Sequence, residues 1–267
     1  MFFGGEKGKF EKVVKDREGI ACMRIKANQL VAHRGYQHRF PENSLLAIHA
    51  AIQVGAVNIE IDVQLNDQRE VILFHDTEMD RVTGKEGNIH TLSSQQLAHY
   101  YCSEPNRLGD DFLSNPIAVL ADLLPIIKEC PHVRFFIELK EESVERYGVD
   151  VCLTMIKQVF FSCSVPSAIH NIVLISFSEE TIAVAKKYGF LQSGLVIRDW
   201  DNRNDLVEIT QADWVFVNYQ RIDINVEKEI AANVPVVLYE IGSKALAIDC
   251  LSRGAYAVET FNVGEML

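Results

Sequence analysis

The sequence has no CxxC pair and no tight cysteine framework. Its six cysteines are scattered over positions 22, 102, 130, 152, 163 and 250, a pattern that reads as reduced thiols in a cytoplasmic protein rather than a disulfide scaffold. Long apolar runs are missing too. The longest, PIAVLADLLPII, is interrupted by Asp122 and is too short to span a bilayer. The N-terminal stretch MFFGGEKGKFEKVVKD lacks the apolar core of a secretory signal, and no low-complexity segment or interdomain linker is visible. Positive charge is scarce: 26 Lys and Arg against 37 Asp and Glu give a net charge of −11. Nucleic acid is therefore not an expected partner, because phosphate backbones require a basic field.

What is present is a regular alternation of short apolar runs and amphipathic stretches. At 267 residues and 48% apolar composition, the chain has a length typical of an eight-fold barrel and material for a large core. Strands are expected near 30–33, 58–65, 133–139, 171–176, 194–198, 214–217, 234–239 and 256–259, with a short partner at 70–74 after the turn NDQR. Helices are expected at 45–54, after the cap signal Asn43-Ser44 and before Gly55, and near 117–129, 145–161, 179–187, 202–210, 226–232 and 243–252. Repeated βα units favour a parallel sheet, and eight of them favour closure into a (β/α)₈ TIM barrel.

Two segments fall outside that rhythm. Residues 1–27 read as an N-terminal appendage, with 28–267 as a single barrel domain; a start at Met23 would retain everything the chemistry needs, which makes residues 1–22 dispensable. Residues 77–116, between strand 2 and helix 2, are rich in turn formers with one helical patch at 93–99. A stretch this long without regular elements is uncommon inside a compact domain and is often functional.

The densest concentration of ionisable groups is Val31 to Asp76. Each group closes an apolar run: LVAHR ends in His33-Arg34, VNIEIDV carries Glu60 and Asp62, and EVILFHD ends in His75-Asp76. VRFFIELK adds Glu138 and Lys140 in the same manner. Strand tips are where an α/β barrel presents its reaction site, and residues two apart on a strand share a face. Glu60, Asp62 and Glu138 should thus converge. Three buried anions raise one another's pKa unless a cation intervenes, and an oxygen-only set points to Mg²⁺ or Ca²⁺. Gly35 is expected to permit a tight turn after strand 1.

HRG, PENS, EIDV, FHD and IELK, in this order over about 110 residues, resemble the glycerophosphodiester phosphodiesterases; weaker similarity in LISFSEETI and WVFVNYQ extends the resemblance over most of the chain. It implies a TIM barrel whose insertion covers the mouth. It further implies metal-dependent hydrolysis of a small-molecule glycerophosphodiester to glycerol 3-phosphate and an alcohol, through attack by the glycerol 2-hydroxyl and a cyclic phosphate. His33 and His75 would serve as general acid and base, with Arg34 and Lys140 on the phosphate oxygens. Glu42 would orient a catalytic histidine or join the metal network, Asn43 would cap a helix or belong to the site, and Asp76 would support His75. The remaining histidines (38, 49, 90, 99, 132 and 170) match no motif.

The far half departs from that family. Where a tryptophan-containing motif is usual at strand 7, this chain has VVLYEI, and strand 8 reads AVETF with Phe261 where an aspartate is common. Tyr239 is expected to line the mouth and Glu240 to point away, since neighbours on a strand alternate. A barrel phospholipase, and a barrel that only binds phosphoesters, are the competing readings. The first would want an apolar or basic rim, which is not evident. The second would be expected to have lost a histidine or a metal carboxylate, and none is missing.

Overall fold

The computed structural model describes residues 24–162, 166–223 and 229–267. Most of the expected N-terminal appendage, Cys22 and Cys163 lie outside these. Eight parallel strands form a closed barrel: β1 (Leu30–His33), β2 (Asn58–Leu65), β4 (Arg134–Leu139), β5 (Ile172–Ser176), β6 (Gln192–Ile197), β7 (Trp214–Asn218), β8 (Val236–Tyr239) and β9 (Ala257–Thr260). Pairing of β1 with both β9 and β2 closes the ring. The antiparallel β3 (Val71–Leu73) adds to β2 outside it. Its turn is held by Asn66 Oδ1, which accepts the amides of Gln68 and Glu70.

The strands are apolar on both faces because both are covered. Inward residues Val31, Phe136, Val173, Ile175, Val196, Trp214, Phe216, Val237 and Ala257 fill the centre, where Phe136 meets Trp214 and Phe216 edge to face. Outward residues such as Ala32, Ile59, Ile61, Phe135 and Ile137 pack under the helices. Each fully buried Phe or Ile contributes about 2–3 kcal/mol. The upper inward positions of β1, β2, β4 and β9 are polar instead, and there the apolar filling gives way to His33, Asp62, Glu138 and Glu259.

The helices differ from the sequence reading at several points. The expected 145–161 helix is two, Glu141–Tyr147 and Val149–Ser162, broken at Gly148 with φ +81°. The helix expected at 117–129 starts later, as a 3₁₀ turn Leu120–Leu123 followed by Leu124–Glu129. Of the helix expected at 226–232, residues 226–228 are not described and 229–232 are not helical. The last strand, read as having no helix after it, is followed by Val263–Met266.

Between β3 and Leu120 the chain makes three short helices, Asp80–Thr83, Ser94–Leu97 and Pro105–Leu108, rather than one. Ile72, Phe74, Met79, Val82, Ile89, Leu97 and Cys102 give this excursion a small core of its own. Charged bonds pin it to the loop after β1. Arg107 donates to the carbonyls of Gln37 and Phe40 and to both carboxylate oxygens of Glu104 (each 2.6 Å), and Glu104 accepts the Glu42 amide at 2.7 Å. Among the described residues no helix is long and apolar enough to cross a membrane.

Candidate active site

The site begins where β1 ends. Arg34 takes φ +55° and Gly35 φ +82°, turning the chain sharply over the first barrel helix, Leu45–Gln53. A Cβ on Gly35 would lie 2.7 Å from the Ala47 carbonyl carbon, so glycine is needed for close approach as well as for φ. This turn sends the Arg34 side chain across the mouth. Its Nη1 donates to Glu42 Oε1 at 2.8 Å, while Nε lies 3.0 Å from Asp62 Oδ2 but off the hydrogen-bonding direction, an ion pair rather than a bond.

Asn43 also has positive φ, +51°, tolerable for a short amide side chain. It is not the helix cap; Ser44 is, with Oγ accepting the Ala47 amide at 3.1 Å. Asn43 instead grips Asp62 from two sides, donating Nδ2–H to Oδ2 at 2.9 Å and accepting the Asp62 amide at 3.0 Å. Glu42 forms no hydrogen bond or ion pair with either histidine and belongs to neither candidate ligand set. It gathers arginines: Arg34 as above, Arg81 through both carboxylate oxygens at 2.7 and 2.9 Å, and also Gln37 at 2.8 Å.

Glu60 and Asp62 both face inward on β2, and the register sets Asp62 beside Glu138 of β4. Ligand atoms of Glu60, Asp62 and Glu138 lie within 4.8 Å of one another, as do those of His33, Glu60 and Glu259. Lys140 Nζ is 2.8 Å from Glu138 Oε1 and 3.6 Å from Asp62 Oδ1. His75 pairs through Nδ1 with Asp76 at 2.6 Å, and Arg81 holds the other Asp76 oxygen at 2.5 Å. Gln64, buried two residues beyond Asp62, donates to the His75 and Asp76 carbonyls, both at 2.8 Å, and so fastens their loop to β2.

Burial and charge divide the carboxyls into two kinds. Burial would raise Asp62, but Arg34, His75, Lys140 and Asn43 outweigh it and hold its carboxyl well below the usual range. Burial likewise pushes Glu42 up and is overcome by Arg81 and Arg34. For Glu60 and Glu259, burial and the neighbouring carboxylates together raise the pKa well above the ordinary value. Glu138 is raised as well, by burial despite Lys140. Burial, and then Arg34, push the His33 imidazole well below its usual value, so it is uncharged near neutrality.

A cavity of about 220 Å³ opens among these groups. His33, Arg34, Asp62, His75, Glu138, Lys140 and Tyr239 line it; Glu60, Glu42 and Asn43 stand behind the lining. Glu240 lines it too, contrary to the alternation argument, because β8 has already ended at Tyr239 and Glu240 turns with φ +65°. Asn218 Nδ2 steadies the Glu240 carboxylate at 2.6 Å. Burial, then the carboxylates of Glu138, Glu259 and Glu240, push the Tyr239 phenol up to about 12, which leaves its hydroxyl a donor.

The three oxygen donors of Glu60, Asp62 and Glu138 suit a divalent metal. Glu60 Oε1 is buried with no hydrogen-bond partner among the described residues, so a bound cation would satisfy it. Sequence reasoning passed over three residues. Glu259 had a local signal, an acid at an inward position of an apolar strand. Gln64 had the two-residue step from Asp62. Arg81 had none, since only the folded excursion carries it to Glu42.

Known proteins resemble this chain. It is 27% identical over 171 residues to glycerophosphodiester phosphodiesterase 1 of Rattus norvegicus, covering 64% of this chain and 46% of that protein. The aligned part thus spans about half the length of such relatives. A glycerophosphodiester phosphodiesterase of Caldanaerobacter subterraneus is 26% identical over 159 residues, 59% of this chain and 61% of the other. Among solved structures, a phosphodiesterase of Oleispira antarctica in complex with the product sn-glycerol-3-phosphate superposes with TM-score 0.72 at 21% identity, covering 89% of this chain and 94% of that one. At that identity the likeness is one of fold. The sequence profile of the glycerophosphoryl diester phosphodiesterase family runs from His33, the first group of the mouth, through to residue 249, past Tyr239 and Glu240, and on the strength of that span this chain belongs to the family.

Proposed function

We propose that this chain hydrolyses glycerophosphodiesters to glycerol 3-phosphate and an alcohol, with a divalent cation, Mg²⁺ or Ca²⁺, held by Glu60, Asp62 and Glu138. The observation that carries this reading is the convergence of two histidines, three oxygen ligands and two fixed cations on one barrel mouth in a chain of this family. The product found in the Oleispira antarctica neighbour supports the glycerol phosphate half of the substrate.

Arg34 and Lys140 approach the two carboxylate oxygens of Asp62 from either side, which supports their taking the non-bridging phosphate oxygens. Both remain charged: Glu138 and Asp62 keep the Lys140 ammonium protonated against its burial. One imidazole of the His33–His75 pair accepts the proton of the attacking glycerol hydroxyl and the other gives a proton to the departing alkoxide; water then opens the resulting cyclic phosphate to glycerol 3-phosphate, with the two imidazoles exchanging roles. Asp76, bonded to His75 Nδ1, orients that ring. A bound divalent cation would stabilise the negative charge that builds on the phosphoryl oxygens. The four described cysteines 102, 130, 152 and 250 are free thiols, in keeping with a cytoplasmic setting.

The test is release of glycerol 3-phosphate from a panel of diesters, with and without EDTA, by the wild type and by His33→Ala and His75→Ala. Activity is expected to vanish with chelation and return with Mg²⁺ or Ca²⁺, and each histidine substitution to cost at least about a hundredfold in kcat/KM. Unchanged turnover after exhaustive chelation would remove the metal, and an active double histidine variant would remove the acid–base pair.

A further inference from the structure

β9 lies beyond the stretch that the family profile covers, which ends at residue 249, yet it meets the first histidine directly. Glu259 sits at an inward position of β9, opposite Val31 of β1 in the register, and is 3% exposed. Its Oε1 is 3.2 Å from His33 Nε2. Two residues on, Phe261 stacks on the imidazole with ring centroids 4.7 Å apart and planes 30° from parallel.

The other carboxylate near that nitrogen is more distant and already engaged. Glu60 Oε2 is 3.7 Å from Nε2 and accepts the Arg34 amide at 3.1 Å, and Glu60 belongs to the ligand set proposed above. His33 Nδ1 has no hydrogen-bond partner among the described residues. Glu259 therefore makes the shortest polar contact of either ring nitrogen among them. An imidazole turns about a broad torsion at χ2, whereas proton transfer requires it within about 10–20° of the productive angle. A stacked ring fixes the plane of the imidazole, and a carboxyl at one nitrogen fixes which edge faces which way.

We propose that Glu259 and Phe261 are the positioning residues of His33, the carboxyl setting the direction of Nε2 and the aromatic ring setting its plane. This rests on the reading of His33 as a catalytic residue. It also gives the departure at Phe261 a function: the strand tip lends the histidine a stacking surface in place of a polar side chain. Keeping a carboxyl buried among Glu60, Asp62 and Glu138 is unfavourable. A residue needed only to fill the barrel would be apolar there, as Ala257 is on the same strand.

Glu259→Leu removes the contact while keeping much of the volume, and Glu259→Gln keeps an oxygen acceptor. With saturating metal, Glu259→Leu is expected to lower kcat about a hundredfold, the lower end of a general acid–base contribution, with KM within about threefold. Glu259→Gln is expected to recover at least about tenfold of that loss, and Phe261→Leu to cost about tenfold in kcat. In protein carrying ¹⁵N-histidine, the His33 ring signals, assigned by their absence in His33→Ala, should move in Glu259→Leu while those of His75 stay in place. Glu259→Leu is expected to melt no lower than the wild type.

Three results would overturn the proposal. One is an unmoved His33 signal in Glu259→Leu, and another is unchanged kcat. The third is a calorimetric Mg²⁺ or Ca²⁺ titration finding two ions per wild-type chain and one per Glu259→Leu chain, which would make His33, Glu60 and Glu259 a second metal site. Should the wild type release no glycerol 3-phosphate from any diester, the functional reading fails, and the ¹⁵N signals still decide whether Glu259 holds His33.

Discussion

Replacing Arg81 by methionine tests whether the excursion after β3 is part of the catalytic machinery. Arg81 makes three charge-assisted bonds, to Asp76 at 2.5 Å and to the two Glu42 oxygens at 2.7 and 2.9 Å. Bonds of this kind to charged groups contribute about 1.5–3 kcal/mol each when shielded. Two facts reduce the sum. The Arg81 side chain is 44% exposed, so solvent screens its share. Glu42, almost wholly buried, keeps Arg34 and Gln37 after the loss. The net cost should be about 2 kcal/mol, which for a chain of this size lowers Tm by about 4–8 °C.

The same guanidinium holds the oxygen of Asp76 that does not face His75. Its loss lets the His75–Asp76 pair swing, and kcat should fall about tenfold while KM changes less than about threefold. Lysine at this position should restore little, because a single ammonium cannot fork between two carboxylates. Thermal melts followed by circular dichroism, together with steady-state kinetics on one glycerophosphodiester, read both effects. A Tm within 1 °C of the wild type together with unchanged kcat would show that the Arg81 bridge carries neither stability nor turnover. Full recovery with lysine would show that charge alone suffices.

Asp76, lowered by His75 and Arg81 against its burial, binds its proton less readily folded than unfolded. Its share of stability is thus complete above about pH 4 and is lost as pH falls through the lower folded value; acid unfolding of Asp76→Asn should accordingly be less steep below about pH 4, and an identical pH profile would contradict this. Gly35→Ala should destabilise by about 2–4 kcal/mol, combining a positive φ with overlap against the Ala47 backbone, as read by urea unfolding; a midpoint equal to the wild type would refute the close-approach argument. Because both Tyr239 and Glu240 line the cavity, Tyr239→Ala should raise KM for all diesters. Glu240→Gln should reduce the preference for glycerophosphocholine over glycerophosphoinositol, and an unchanged ratio would place Glu240 outside substrate reach.

The alternation of apolar runs, the tips at His33, Asp62, His75 and Glu138, and the glycine after Arg34 are local properties. Strand period, turn chemistry and side-chain volume act over a few residues, so a parallel barrel and the ionisable groups in and just after its strands are legible from them. Glu60 and Asp62 share a face because a two-residue step on a strand allows nothing else, whereas Glu138 joins them only through the register of β4 on β2. Cooperative placement was not local. Glu42 reads from its motif as a histidine partner or a member of the metal network, and the structure bonds it to Arg34 and, through the folded excursion, to Arg81. Asn43 reads equally as a cap or as a site residue, and it grips Asp62 because Ser44 takes the cap and the positive φ turns the amide inward. Tyr239 and Glu240 both reach the cavity because β8 stops one residue before alternation would separate them. Closure of the barrel then sets β9 beside β1, bringing Glu259 and Phe261 to His33 from the opposite end of the chain. No periodicity within either strand encodes that contact; the register of the closed ring decides it.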